Sequence, residues 1–303
     1  MKIILNKDEN VEYRTGVALG NFDGIHIGHK HLISTMKSKS VERNLVPAVF
    51  TFNNNCTQMK TKNKCNTLIS DKQKAEIIDD LGVDVLYMVN FDDEFRRMTP
   101  EDFIRDIIVK KLNAKLVVVG FDFRFGYKAE GDSNYLMQAA SKYGFECLVI
   151  EPITNNKQVI SSTHIRDLIK NGDIREANLL LGRPYTMRGT VIGGKGRGKG
   201  LGFATANIDC EIDYLPPKFG VYKTYTVYKG KEYLSITNVG RNPTFEDIIF
   251  SIETHILDFD MDIYGEQIQI KFIEFIRDEK KFDNVQALIS QVISDIDTVR
   301  VNK

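Results

Sequence analysis

Short apolar runs alternate with amphipathic stretches through the first half of this 303-residue chain, and that alternation restricts the fold more than anything else in it. The runs are Val17–Gly20, Ala48–Phe52, Val85–Val89, Leu116–Gly120 and Cys147–Ile150. Between them, Lys30–Val41, Lys72–Leu81, Glu101–Leu112 and Asn134–Tyr143 carry a helical period. Strands separated by helices build a parallel sheet covered on both faces. In such a sheet, ligands bind beyond the C-terminal ends of the strands. Two more helical patterns follow at Thr163–Lys170 and Ile174–Leu181, with Asn171-Gly172-Asp173 between them as a helix stop and a new N-cap. Gly182-Arg183-Pro184 then ends the helical region, so domains are expected at 1–183 and 184–303.

The second half has a different pattern. Val221–Tyr228, Tyr233–Val239, Ile249–Leu257 and Ile268–Phe275 read as strands separated by Gly and Pro turns rather than helices. That implies an antiparallel barrel or sandwich. An amphipathic helix is expected at Val285–Ile296.

Lys+Arg and Asp+Glu both number 41, and a zero net charge argues against a general nucleic-acid binder. No apolar run approaches the roughly 20 residues needed to span a bilayer. The opening MKIILNKDENVEYR is too briefly apolar for a secretory signal. Cys56, Cys65, Cys147 and Cys210 form no CxxC pair, which suits reduced thiols. The expectation is a cytoplasmic protein with small-molecule substrates and no membrane or nucleic-acid partner, its oligomeric state left open.

Three of the five histidines, His26, His29 and His31, lie in VALGNFDGIHIGHKHLI, directly after the first strand. His26 and His29 fall at the mouth of a helix N-terminus, whose free N–H groups and partial positive charge favour phosphate. Gly28 lets backbone and ligand approach closely. Zinc is disfavoured because no cysteine accompanies the cluster, and His31 reads as structural or solvent-facing. In VISSTHIRDL, Ser162, Thr163 and Arg166 alone read as a capped helix with an exposed arginine. Beside the histidine pair they make a second phosphate clamp. In VVVGFDFRFG, Phe123 and Phe125 alone suit core packing, whereas Asp122 at a strand end suits a ligand.

The run GGKGRGKG alternates glycine with Lys195, Arg197 and Lys199. Such a loop can wrap phosphates, although composition fits a solvated loop equally well. Gly200 stands where a Walker loop needs Ser or Thr, so this is a different device. Thr205 and Asn207 follow as hard oxygen donors suited to Mg²⁺. Glu253 alternates with apolar neighbours on a strand and could accept a hydroxyl proton, although a lone strand glutamate is more often simply solvated.

Taken as sets, these motifs resemble one family. GNFDGIHIGH, VGFDFRFG and ISSTHIR resemble the adenylyltransferase domain of bacterial bifunctional riboflavin kinase/FAD synthetases. GRGKGLGFATANI, the GVY at Gly220–Tyr222, NVGRNPTF and ETHILDFDMDIYG resemble the riboflavin kinase domain of the same enzymes. The resemblance implies an α/β Rossmann-like nucleotidyltransferase domain followed by an antiparallel β-barrel with a C-terminal helix. It implies ATP-dependent phosphorylation of riboflavin to FMN, then adenylylation of FMN to FAD with release of pyrophosphate. By the same resemblance His26, His29, Arg166 and Glu253 are catalytic. Gly20, Asn21, Phe22, Gly28, Ser162, Thr163, Gly194, Lys195, Gly196, Arg197 and Gly198 hold ATP phosphates. Asp122 and Phe123 meet the flavin, Thr205 and Asn207 hold Mg²⁺, and His255 and Tyr264 are structural.

Two departures stand out. TFNNNCTQ replaces the family's TF-x-P-H-P run, and Ala204 replaces the proline of GFPTAN. They leave two alternatives: a kinase with an impaired adenylyltransferase site, or a non-catalytic flavin-binding protein.

Overall fold

The computed structural model describes residues 1–5, 9–53, 66–155, 158–193, 203–243 and 248–301. In chain order the first elements are β1 (Lys2–Ile4), β2 (Thr15–Leu19), α1 (Ile27–Glu42), β3 (Val46–Phe52), α2 (Asp71–Asp80), β4 (Val85–Val89) and α3 (Asp93–Arg97). Next, α4 (Pro100–Asp102) runs into a π-helical stretch at Phe103–Lys111, followed by β5 (Ala114–Gly120), β6 (Arg124–Phe125), β7 (Gly131–Asp132), α5 (Ser133–Tyr143) and β8 (Glu146–Ile150). β9 (Thr154–Asn155) and β10 (Gln158–Val159) form a small antiparallel pair, as do β6 and β7.

Six strands form one parallel sheet in the order β1-β4-β3-β2-β5-β8. It contains all five expected strands plus β1, whose three residues bury only Ile4 and so carry no periodic signal. Side chains alternate between faces along each strand. Val17, Leu19, Phe50, Tyr87, Val117 and Val119 join a core with the π-helical Ile104 and Ile108 and with Leu136 of α5. Ala18, Val49, Leu86, Leu116 and Val118 face the other way, onto Ile33 and Met36 of α1 and Ile78 of α2. From β2 the chain steps to β3 and β4 on one side, then returns to β5 and β8 on the other. The strand order therefore reverses between β2 and β5, the point where open α/β sheets bind ligands.

α6 (Ser162–Asn171) and α7 (Ile174–Leu181) come next. Gly172, at φ 88°, stops α6. Asp173 takes the N-cap position of α7 but makes no side-chain cap bond, so the expected cap is one of position only. Then come β11 (Tyr185–Ile192), β12 (Ala206–Cys210), β13 (Gly220–Tyr228), β14 (Lys231–Pro243), β15 (Ile248–Ile256), β16 (Gln267–Arg277) and α8 (Val285–Val301). The six strands close an antiparallel barrel in the order β11-β12-β15-β14-β13-β16. Closure removes exposed sheet edges. β11 and β12 complete the barrel beyond the four expected strands. Gly189 lets them approach closely, since a Cβ there would lie 2.2 Å from the Asp209 carbonyl oxygen.

Inside the barrel, fully buried hydroxyls satisfy one another. Thr224 and Thr237 lie 2.7 Å apart, Thr237 donates to Thr254 at 2.9 Å, and Thr226 pairs with Ser235 at 2.7 Å. On the outer face, Val221 and Ile236 pack against Ile296 and Val299 of α8.

Contacts divide the chain into two compact units: Met1–Cys65 with Ile69–Ser162, and Asn66–Leu68 with Thr163–Lys303. Residues 163–183 thus pack with the barrel rather than with the residues before them. The reason is visible in α7, where Asn178 accepts from the Tyr185 N–H at 2.7 Å and donates to the Phe272 carbonyl at 2.8 Å.

Candidate active sites

The first site grows from the C-terminal end of β2. A Cβ on Gly20 would meet the Phe22 ring at 2.8 Å, so only glycine fits beneath that ring. The loop then turns through Phe22 (φ 50°), Gly24 (φ 79°) and Ile25 (φ 38°). Non-glycine residues in this left-handed region cost on the order of 1–3 kcal/mol each. Burial of the Phe22 and Ile25 side chains among the core residues offsets that strain. With its ring committed to the core, Phe22 can offer a ligand only its backbone.

His26 is the N-cap of α1, and its Nδ1 accepts the backbone N–H of His29 at 3.3 Å. The ring therefore carries its proton on Nε2. The two imidazoles stack at 3.7 Å and 18°, and Phe22 meets the His29 ring edge-on at 5.3 Å. Gly28 permits this packing, since a Cβ there would lie 3.1 Å from the His26 ring. Burial first, then the neighbouring His26 ring and the Lys74 ammonium, hold the His29 pKa well below the ordinary histidine value. Its Nδ1 is buried without a hydrogen-bond partner among the described residues. Such an orphan costs about 1–3 kcal/mol, and its place at a helix N-terminus suits a group kept for a ligand. His31 is exposed, as expected.

Ser162 donates to the Asp23 carbonyl at 2.8 Å, tying the start of α6 to this loop. Thr163, exposed, and Arg166, half-buried, belong to the second unit. Asn21 is exposed. At the end of the neighbouring strand β5, Asp122 is exposed, with its Oδ1 close to Gly120. Phe123 is half-buried and stacks on Phe125 at 5.5 Å. Gly20, the first residue past β2, and Gly120, the last of β5, thus mark the ends of the two strands between which the sheet reverses. Of the departing Thr51–Gln58 run, Thr51 to Asn53 are described and 54–58 lie outside the described residues.

Sequence reasoning missed Lys74. Its side chain is completely buried, and its ammonium donates to the Asn21 carbonyl at 3.0 Å and the Phe52 carbonyl at 2.8 Å.

The second site lies on the outer face of the barrel. Glu253 on β15 is in register with Asn207 on β12 and Asn238 on β14, so three polar side chains span three adjacent strands at one level. Glu253 and Asn238 line a cleft of about 400 Å³, closed on one side by Leu288, Ile289 and Val292 of α8. Thr205 lines this cleft and also a second one of about 240 Å³ bordered by Asp260, Asp262 and Tyr264. His255 Nδ1 lies 2.8 Å from the Ala204 carbonyl oxygen, which fixes the segment leading to Thr205. Gly194, Lys195, Gly196, Arg197 and Gly198 lie outside the described residues.

α8 is anchored by an ion pair that sequence patterning did not reveal. Arg277 contacts the buried Asp295 carboxylate through Nε at 3.0 Å and Nη2 at 2.7 Å, and Gln291 adds a third donor at 2.9 Å. Both charged residues line the larger cleft.

Comparison with known proteins assigns both halves. Residues 8–164 match the FAD synthetase family model and residues 181–302 the riboflavin kinase model. The bifunctional riboflavin kinase/FMN adenylyltransferase of Listeria monocytogenes is 40% identical, covering 96% of this chain and 93% of its own. Its Bacillus subtilis namesake is 36% identical, covering 92% and 89%. A crystal structure described as a macrolide-efflux protein from Streptococcus pneumoniae superposes with a TM-score of 0.90 at 31% identity, covering 99% of this chain and 98% of that one. Among the described residues no helix is long and apolar enough to cross a membrane. Two matched domain models and relatives spanning nearly the whole chain show that it belongs to the bifunctional riboflavin kinase/FMN adenylyltransferases, enzymes that phosphorylate riboflavin and adenylylate FMN.

Proposed function

We propose that the two reactions run on the two residue sets described above. In adenylyl transfer, a phosphate oxygen of FMN attacks the α-phosphorus of ATP and the bond to pyrophosphate breaks. His26, through Nε2–H, and the neutral His29 donate hydrogen bonds to the charge that develops on the phosphate oxygens. The orphaned His29 Nδ1 at the N-terminus of α1 carries this reading. Gly20, Asn21, Gly28 and the Phe22 backbone form the phosphate turn, and Asp122 and Phe123 meet the flavin. Thr163 and Arg166 are assigned to the triphosphate on the family resemblance, and the proposed functional boundary at 183/184 rests on the end of the helical pattern at Gly182-Arg183-Pro184.

In phosphoryl transfer, the Glu253 carboxylate takes the proton of the riboflavin 5′-hydroxyl as that oxygen attacks the γ-phosphorus of ATP, the bond to the β,γ-bridging oxygen breaks and ADP leaves. Its register between Asn207 and Asn238, at the wall of the larger cleft, supports this role. Gly194 to Gly198 hold the ATP phosphates by resemblance. Thr205 and Asn207 fit Mg²⁺: both offer neutral oxygens, and Thr205 lies where the two clefts meet. Magnesium favours a few protein oxygens completed by phosphate and water. When bound there it would neutralise phosphate charge. The cytoplasm, where ATP is plentiful, is the proposed compartment.

Product chromatography tests the scheme. With riboflavin, ATP and Mg²⁺, FMN is expected first and FAD second, both steps stopping with EDTA and resuming with added Mg²⁺. FMN accumulating without FAD at high ATP would place the defect in the altered Thr51–Gln58 run. Activity surviving EDTA would refute the metal assignment.

A further inference from the structure

α2 is locked in place by a reciprocal cap: Gln73 N–H donates to Ser70 Oγ at 3.2 Å, and Ser70 N–H donates to Gln73 Oε1 at 2.8 Å. The next residue, Lys74, points its ammonium into the protein, where it ties together two strand ends. One anchor is the Phe52 carbonyl, at the end of β3. The other is the Asn21 carbonyl, just past β2, which also accepts the Thr51 hydroxyl at 2.9 Å. Two donors therefore fix the Asn21–Phe22 peptide. This chain contains no cis peptide among the described residues, so the Phe22 N–H points away from the ammonium. That N–H belongs to the phosphate turn, and the next backbone step is the strained Phe22 conformation.

A buried ammonium is expensive, and an apolar side chain would serve the core better. We propose that Lys74 is a positioning residue for adenylyl transfer, setting the orientation of the Asn21–Phe22 peptide and holding the left-handed turn that presents His26 and His29. Its charge also helps keep His29 neutral. This inference rests on the assignment of the histidine pair to adenylyl transfer, and Lys74 acts through that loop rather than on the substrate.

The test measures FMN adenylylation and riboflavin phosphorylation on full-length Lys74→Met, Lys74→Gln, Thr51→Val and His29→Ala proteins. Folding of the first unit is followed by calorimetry. Misplacement of the reacting groups by about 1 Å typically costs on the order of 10²-fold. The expected result for folded Lys74→Met or Lys74→Gln is a kcat for adenylylation lower by about 10²-fold, with KM for ATP and FMN moved less than about threefold. Phosphorylation should be unchanged. A purely structural lysine would lower stability and leave kcat of the folded enzyme intact, and that result overturns the proposal. If neither lysine variant folds, Thr51→Val decides: it keeps the ammonium and removes the second donor, with an expected kcat loss of about fivefold. An unchanged kcat there also overturns the proposal. Full adenylylation by His29→Ala would instead overturn the underlying histidine assignment.

Discussion

His26 accepts the backbone N–H of His29 through Nδ1 at 3.3 Å while the two rings stack at 3.7 Å. One histidine thus serves as both helix cap and candidate donor, and the two duties can be separated. Asparagine is a good N-cap but cannot reproduce the Nε2–H. His26→Asn should retain thermal stability yet lose about 10²–10³ in adenylylation rate. His26→Ala should lose the same activity and about 1 kcal/mol of stability as well. Calorimetry with FMN turnover checks both, and an active His26→Asn enzyme would reduce His26 to a cap.

Burial holds the His29 pKa below the histidine value of 6.5. As pH falls through 6.5, the unfolded chain takes up a proton that the folded chain refuses, so stability falls with it. The slope from one such group approaches about 1.4 kcal/mol per pH unit. Unfolding of the first unit between pH 7 and pH 5 should show this loss, and His29→Gln should flatten it. Parallel curves for parent and variant would contradict the assignment.

The Arg277–Asp295 pair lies where α8 closes the larger cleft of the barrel unit, the one proposed to take riboflavin. Removing one partner of a buried pair typically costs about 3–5 kcal/mol. Asp295→Ala should therefore destabilise the barrel unit and raise KM for riboflavin, while adenylylation of supplied FMN stays at the parent rate. Thermal melts and kinetics on both substrates measure this, and an unchanged riboflavin KM would remove the clamp from the account.

α7 buries Ile174, Ala177, Leu180 and Leu181. Each large apolar side chain contributes roughly 1.5–3 kcal/mol. A fragment starting at Thr163 should fold and phosphorylate riboflavin, whereas one starting at Pro184 should be markedly less stable. Equal melting temperatures would show that α7 is dispensable.

What the sequence revealed and concealed follows from which signals are local. The alternating first half disclosed five strands and their helices because each buried strand is a continuous apolar run. β11 stayed hidden because its inward residues, Tyr185, Met187 and Val191, are interleaved with Thr186, Arg188 and Gly189. β12 is five residues long and follows the glycine-rich run. The candidate motifs could be singled out because the spacing within each is local, as in GNFDGIHIGH, which runs from the loop after β2 into the start of α1. Lys74 was not, because DKQKAEIIDD reads as a solvated helix. Its one signal was position: Lys74 precedes the buried Ile78 by four residues, on the inward stripe. The Arg277–Asp295 pair joins a strand to a helix 18 residues on, which periodicity cannot show.

The most direct test of two separate sites is a double dissociation. His29→Ala should lower FMN adenylylation by about 10²–10³ and leave riboflavin phosphorylation untouched. Glu253→Gln cannot accept the hydroxyl proton and should lower phosphorylation by roughly 10²–10⁴ while still converting supplied FMN to FAD. Steady-state rates on riboflavin and on FMN, for both variants and the parent, are the measurement. Opposite patterns of loss are the predicted result; a variant that stays folded by circular dichroism yet loses both activities together would contradict the account.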